Sequence, residues 1–316
     1  MTTRHRSRDA VSPSLVAQSG LPDDADVASS AEEVVRVLRG TALEGMPVRP
    51  PRNPHPAGSP FTPPDSDVLV IEHVDPARVL ELWRAARDVL PSTSRWPIAV
   101  APEWNAWFRQ VPDDELTALQ SSIAGIDDAR MFPRFVFDVP RAQEDWHGGW
   151  ENVFRGAGLS ARMAAELSDP VLDHEVDRWI HDRLMADPSL VAMVEGRLQP
   201  HVGTRAWFQP DSVELALLPT TSPWLAFEWV SYFGVDSDAP AFVAALERWH
   251  RTWGAELVAS WGTMLQLTVT RRPQQGEEAW DLAGQLLAWA GSLQLSQWEL
   301  ALIVARSDTW FLHDRP

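Results

Sequence analysis

Apolar residues recur at helical spacing near the C-terminal third of the chain. Phe242, Leu246, Trp249 and Trp253 form one stripe and predict an amphipathic helix. Gly254 follows, where a left-handed residue would end it. The period then changes to two. Leu257 and Ala259 alternate with Glu256 and Ser260, and Leu265, Leu267 and Val269 alternate with Gln266 and Thr268. Gly262 and Thr263 supply a tight turn between these two strands. Helix, stop and hairpin together predict a folded module around which the chain is organised.

Taken in order, residues 1–29 are polar and patternless and predict a disordered arm. Residues 30–66 predict a short helix and a linker. Ser30 and Glu33 have the spacing of a capping box. Eight prolines then crowd residues 47–64, which excludes a helix or a central strand there. Residues 67–212 predict an α/β, mainly helical part. The apolar run at 68–74 reads as a buried strand. Asp75-Pro76 starts a helix whose inner face is Val79, Leu80, Leu82, Trp83, Ala86 and Leu90, and Pro91 stops it. Residues 98–100 form a second strand. Asp169-Pro170 and Asp187-Pro188 repeat the cap-then-proline start, and 135–139 reads as one more strand.

Residues 213–316 are the clearest. A strand at Val213–Leu218 precedes a helix from Ser222-Pro223 to Gly234 and then the helix and hairpin described above. A helix over 277–290 stops at Gly291, a capping box at Ser296 and Glu299 opens another, and 309–314 is a closing strand. With paired helices counted once, the order is β-α-β-β-α-β. The expected class is α+β, with a C-terminal ferredoxin-like (split βαβ) antiparallel sheet, helices on one face, and the closing strand beside the first.

Several of these residues also carry a resemblance. Pro223-Trp224, Phe233-Gly234, the run Trp249-His250-x-x-Trp253-Gly254-Ala255-Glu256-Leu257, Glu278-Ala279-x-x-Leu282-Ala283 and the aromatic closing strand resemble the bacterial family named domain of unknown function 4253. The likeness covers residues 213–316, and 82–98 is similar to the upstream part of longer members. It implies fold and membership and no activity. Members end with more aromatics than Trp310-Phe311-Leu312-His313-Asp314, and are richer in Asn and Cys where this chain has 236–238.

Composition narrows the function. All 27 basic residues are arginine, against 44 acidic ones, for a net charge of −17. That balance opposes a nucleic-acid or anionic-membrane surface. The 17 tryptophans accompany scarce Lys, Asn and Tyr, which fits a GC-rich coding bias and core packing better than a carbohydrate-binding surface. Cysteine is absent, so thiol catalysis, disulfides and zinc–cysteine sites are excluded. Arg4, Arg6 and Arg8 are not followed by an apolar run of signal-peptide length, and no stretch of about 18 apolar residues exists. A cytoplasmic protein without a cofactor is expected.

Candidate chemistry is sparse. His250 could act as a base with Glu247 or Glu256, or be a half-buried structural histidine. His174, Asp177 and His181 share a helix face next to Asp173 and offer metal-ligand chemistry. Arg178 would repel a cation there, and the two histidines lie about 10 Å apart along the axis. A solvated charged face is the expectation. His147-Gly148-Gly149-Trp150 resembles an oxyanion loop, but no G-x-S-x-G serine accompanies it. These exclusions favour a non-catalytic protein–protein interaction protein, accessory or immunity-type, steered by its charge to a basic protein partner. The alternative is a hydrolase or metal-dependent enzyme using His174 and His181, or His250.

Overall fold

The computed structural model describes residues 27–51, 67–102, 108, 111–132, 154, 157–167, 170–235 and 238–315. Among them, seven strands form one mixed sheet: β1 Val48–Arg49, β2 Leu69–Val74, β3 Trp96–Val100, β4 Val213–Leu218, β5 Glu256–Ser260, β6 Met264–Thr268 and β7 Thr309–His313. Their order is β1-β2-β4-β3-β5-β6-β7. Neighbours are antiparallel except β3 and β5, which run parallel with Ala99 opposite Ala259.

This order differs from the ferredoxin-like arrangement expected for 213–316. Both edges of β4 are taken by strands from the preceding part, β2 and β3. The closing strand therefore cannot lie beside β4 and pairs with β6 instead. Nor is either face of the sheet's centre left open. Every residue of β3 and β4 is buried, so these central strands are covered on both sides. The sheet runs unbroken across the 212/213 boundary.

The N-terminal elements form largely as their local chemistry dictates. Ser30 Oγ accepts from the Glu33 amide at 3.3 Å, and Glu33 Oε2 accepts from the Ser30 amide at 3.1 Å, opening helix Ala31–Val37. Asp75 caps a 3-10 turn, Pro76–Arg78, which leads into helix Val79–Asp88 with Val79, Leu82, Trp83 and Ala86 buried. The predicted arm is shorter than 1–29, because Ala28 is buried and its amide donates to Ser92 O at 2.9 Å. The proline-dense segment contributes β1 to the sheet edge, where a proline-flanked strand is tolerated. The expectations for 1–26, 52–66, 135–139 and 147–150 lie outside the described residues.

The helix expected over 222–234 is only a 3-10 turn, Leu225–Trp229. Beyond it Tyr232 bridges to Gly262 and the Phe233 amide donates to Gly262 O at 2.9 Å. The chain is drawn onto the hairpin turn before a second helical turn can form.

Helix Ala239–Trp253 buries the predicted stripe and ends as predicted. Gly254 sits at φ 62°. Its amide donates to His250 O at 2.8 Å, the bond of an αL cap, and that of Ala255 to Trp249 O at 3.3 Å. A second layer, helices Leu159–Glu166, Asp173–Ala186 and Pro188–Leu198, builds its own core from Phe154, Val176, Ile180, Leu184 and Val194. Helix Gln297–Val304 joins the two: Leu300, Ala301 and Val304 enter the sheet core, and Trp298, Leu302 and Ile303 the second.

A Cβ at position 254 would meet Thr270 Oγ1 at 1.9 Å. Gly254→Ala should therefore cost more than the ~1–2 kcal/mol of a left-handed alanine. Adding Thr270→Ala should return part of the loss, read as midpoints of urea unfolding. Trp310 and Leu312 are 3% and 0% exposed. Stopping the chain after Ser307 removes both, at ~1.5–3 kcal/mol each, and should abolish cooperative thermal unfolding. Removing only Arg315 and Pro316 should leave the midpoint within a few degrees.

Candidate functional site

The sequence-predicted residues fall in two places. His250 closes the last turn of helix Ala239–Trp253, with Nδ1 3.0 Å from Ala255 O. A carbonyl only accepts, so Nδ1 carries the proton and the ring is pinned to its own helix cap. Its face lies against Trp224, centroids 5.3 Å apart. Glu247 pairs with Arg251 at 2.7 Å, and Glu256 with Arg87 at 2.9 Å. Both candidate carboxylates are thus engaged by arginines.

Helix Asp173–Ala186 carries the second set. His174 is exposed in its first turn, and His181 is 1% exposed two turns later. Asp177 Oδ2 accepts from the Gln297 amide at 2.7 Å and so caps the helix that joins the two cores. The His181 ring packs on Trp280 at 4.8 Å, and its Nδ1 is 3.8 Å from Asp182 Oδ1, beyond hydrogen-bond reach. Arg178 lies over the same indole at 5.3 Å and pairs with Glu277 at 2.5 Å. Burial, and then the Arg178 charge, hold the His181 pKa below its ordinary value. Among the described residues no three His, Asp or Glu side chains converge as a metal site.

Two cavities are small. One of about 30 Å³ is lined by Leu286, Leu300, Val304, Trp310 and His201. The other, about 20 Å³, lies beside Val100, Trp229, Ser231 and Ser260. Each has room for water, which needs about 10–15 Å³.

The surface offers a feature that sequence reasoning missed. Phe208 and Phe233 are 43% and 45% exposed, and both adjoin the β5–β6 turn. Phe208 packs edge-on against Trp261 at 6.2 Å, and the Phe233 amide is bonded to Gly262. Residues 208 and 233 meet the same turn only in the folded chain. Nothing in their local sequence signals it, although the Phe233-Gly234 stop was visible.

The family model described as Domain of unknown function (DUF4253) matches residues 214–314. No curated protein and no solved structure matches the chain. The matched stretch includes β4 almost entirely, yet both sheet partners of β4 lie outside it.

His181 generates a pH prediction. The unfolded chain takes up a proton there near pH 6.5, while the folded chain resists it. Its contribution is therefore whole above that pH and is lost as pH falls below it. Urea midpoints of the wild type should drop on acidification from pH ~7.5 to ~5 more steeply than those of His181→Phe. Equal slopes would remove His181 as the cause.

Proposed function

We propose that this chain, whose residues 214–314 carry the domain of unknown function, is a non-catalytic protein–protein interaction protein of accessory or immunity type with a basic partner. The observation that carries the reading is how the reactive side chains are used. His250 is bound to a helix-cap carbonyl, Glu247 and Glu256 to arginines, Asp177 to a helix amide, and His181 is packed on an indole. Each serves the fold. The charge of −17 supplies the steering field, attracting cationic surfaces at long range and weakening with salt.

The test is co-purification of the full chain from its native cells at low salt. The expected result is a stoichiometric basic protein that dissociates as salt rises from about 0.1 M to about 1 M, where the screening length shrinks from about 10 Å to about 3 Å. Turnover of model ester, phosphoester or peptide substrates that is lost in His250→Ala, with no partner recovered, would replace this reading with the hydrolase alternative.

A further inference from the structure

Four large apolar side chains among the described residues are markedly exposed: Val35, Met193, Phe208 and Phe233. Single exposed apolar residues are ordinary. The two phenylalanines are not isolated, because both are fixed to the turn joining β5 and β6. Phe208 is held by its edge contact with Trp261 and by its carbonyl, which accepts from Gln266 Nε2 at 3.0 Å. Gln266 is itself 1% exposed. Phe233 is held by its amide bond to Gly262 O, and the Tyr232 before it donates Oη to Trp289 O at 2.6 Å. Rings presented on a fixed backbone lose little freedom when a partner covers them, which is what anchor residues require.

Charges of both signs lie near these rings, within a chain whose net charge is −17. Asp211 lies exposed three residues after Phe208. Asp314 donates its amide to Thr263 O at 2.9 Å, and its Oδ1 accepts from Ser292 Oγ at 3.1 Å. Arg205 and Arg315 are the cations beside them, and His313 is held below its ordinary value by burial and then by Arg315. Elsewhere arginines such as Arg130, Arg248, Arg271 and Arg178 are held in ion pairs, which leaves the excess carboxylates to set the field. A second copy is a poor occupant, since it would bring −17 against −17.

We propose that the β5–β6 turn with Phe208 and Phe233 is the docking surface for an arginine- or lysine-bearing protein segment, whose cations stack on the two rings. The proposal rests on the interaction reading above and adds the surface and the chemistry of recognition. The cation meets an aromatic face at short range and the acidic field at long range.

The test uses the full chain and three labelled dodecapeptides, alternating Leu with Arg, with Gln or with Glu, followed by fluorescence anisotropy. The Arg peptide should bind more tightly than the Gln peptide, and the Glu peptide should not bind. Phe208→Ser with Phe233→Ser should weaken the Arg peptide about fivefold to thirtyfold, from two exposed cation–π contacts. Val35→Ser with Met193→Ser, which removes the other two exposed apolar groups, should leave it unchanged. If the serine pair unfolds, Phe208→Leu with Phe233→Leu keeps the apolar bulk and should still reduce the preference for Arg over Gln. Wild-type affinity in the serine or leucine pair overturns the proposal, as does equal binding of the Gln peptide. So does a dimer in sedimentation equilibrium that the serine pair abolishes. A native partner that still binds the serine pair fully would sink this surface and leave the interaction reading standing, whereas recovery of no partner would sink that reading itself.

Discussion

Helix Gln297–Val304 is the constraint on which the rest of the structure depends. Every residue from Trp298 to Val304 is buried, so it has no solvent face and must satisfy two cores at once. Its first amides have no partners within the helix and are met by protein groups. Glu299 Oε2 accepts from the Ser296 amide at 3.0 Å and from Ser296 Oγ at 2.9 Å. Asp177, from the helical layer, takes the Gln297 amide. Glu299 Oε1 accepts from Arg197 Nε at 2.8 Å, so the cap itself is tied to the same layer. The joint between sheet and helical layer is therefore made of cap chemistry as much as of apolar packing. A buried carboxylate such as Glu299 is tolerable there because its oxygens are bonded and an arginine balances its charge.

The unusual composition has a structural use. Trp83, Trp96 and Trp289 donate their indole N–H groups to Pro97 O, Leu257 O and Met131 O. Each bond crosses between elements, so a tryptophan fills core volume and pins a neighbouring backbone at once. Arginines lie over Trp96, Trp179, Trp253 and Trp280. The guanidinium is planar and weakly hydrated, and it stacks on indole while keeping its fork for a carboxylate. Arg87 does both, over Trp96 and paired with Glu256. An arginine-only cation set and a tryptophan surplus thus reinforce one another inside the fold.

The candidate site shows the same economy from the opposite side. The side chains with the best chemical credentials are those the fold itself uses, and the exposed features are aromatic rings on a fixed turn. Local spacing correctly placed His174, Asp177 and His181 on one helix, but it could not anticipate that Asp177 would cap a helix 120 residues away. Nor could it show that His181 would be buried while His174 stayed in solvent.

What the sequence by itself determined was local. The capping box at Ser30, the Asp75-Pro76 start, the stripe from Phe242 to Trp253, the left-handed Gly254 and the β5–β6 turn each follow from a few neighbouring residues. Their energetics are settled within one or two turns of chain. Only the tertiary structure decided the strand order. Strands β3 and β4 are buried throughout and apolar but for Glu214, so either face and either edge could accept a partner, and alternation could not specify a neighbour. Trp96 of β3 donates to Leu257 of β5 across 161 residues, placing an N-terminal strand inside the C-terminal set. Once β2 and β3 occupied both edges of β4, the closing strand was left with β6. That outcome depends on which edges are still free when the chain closes, and no window of sequence contains it.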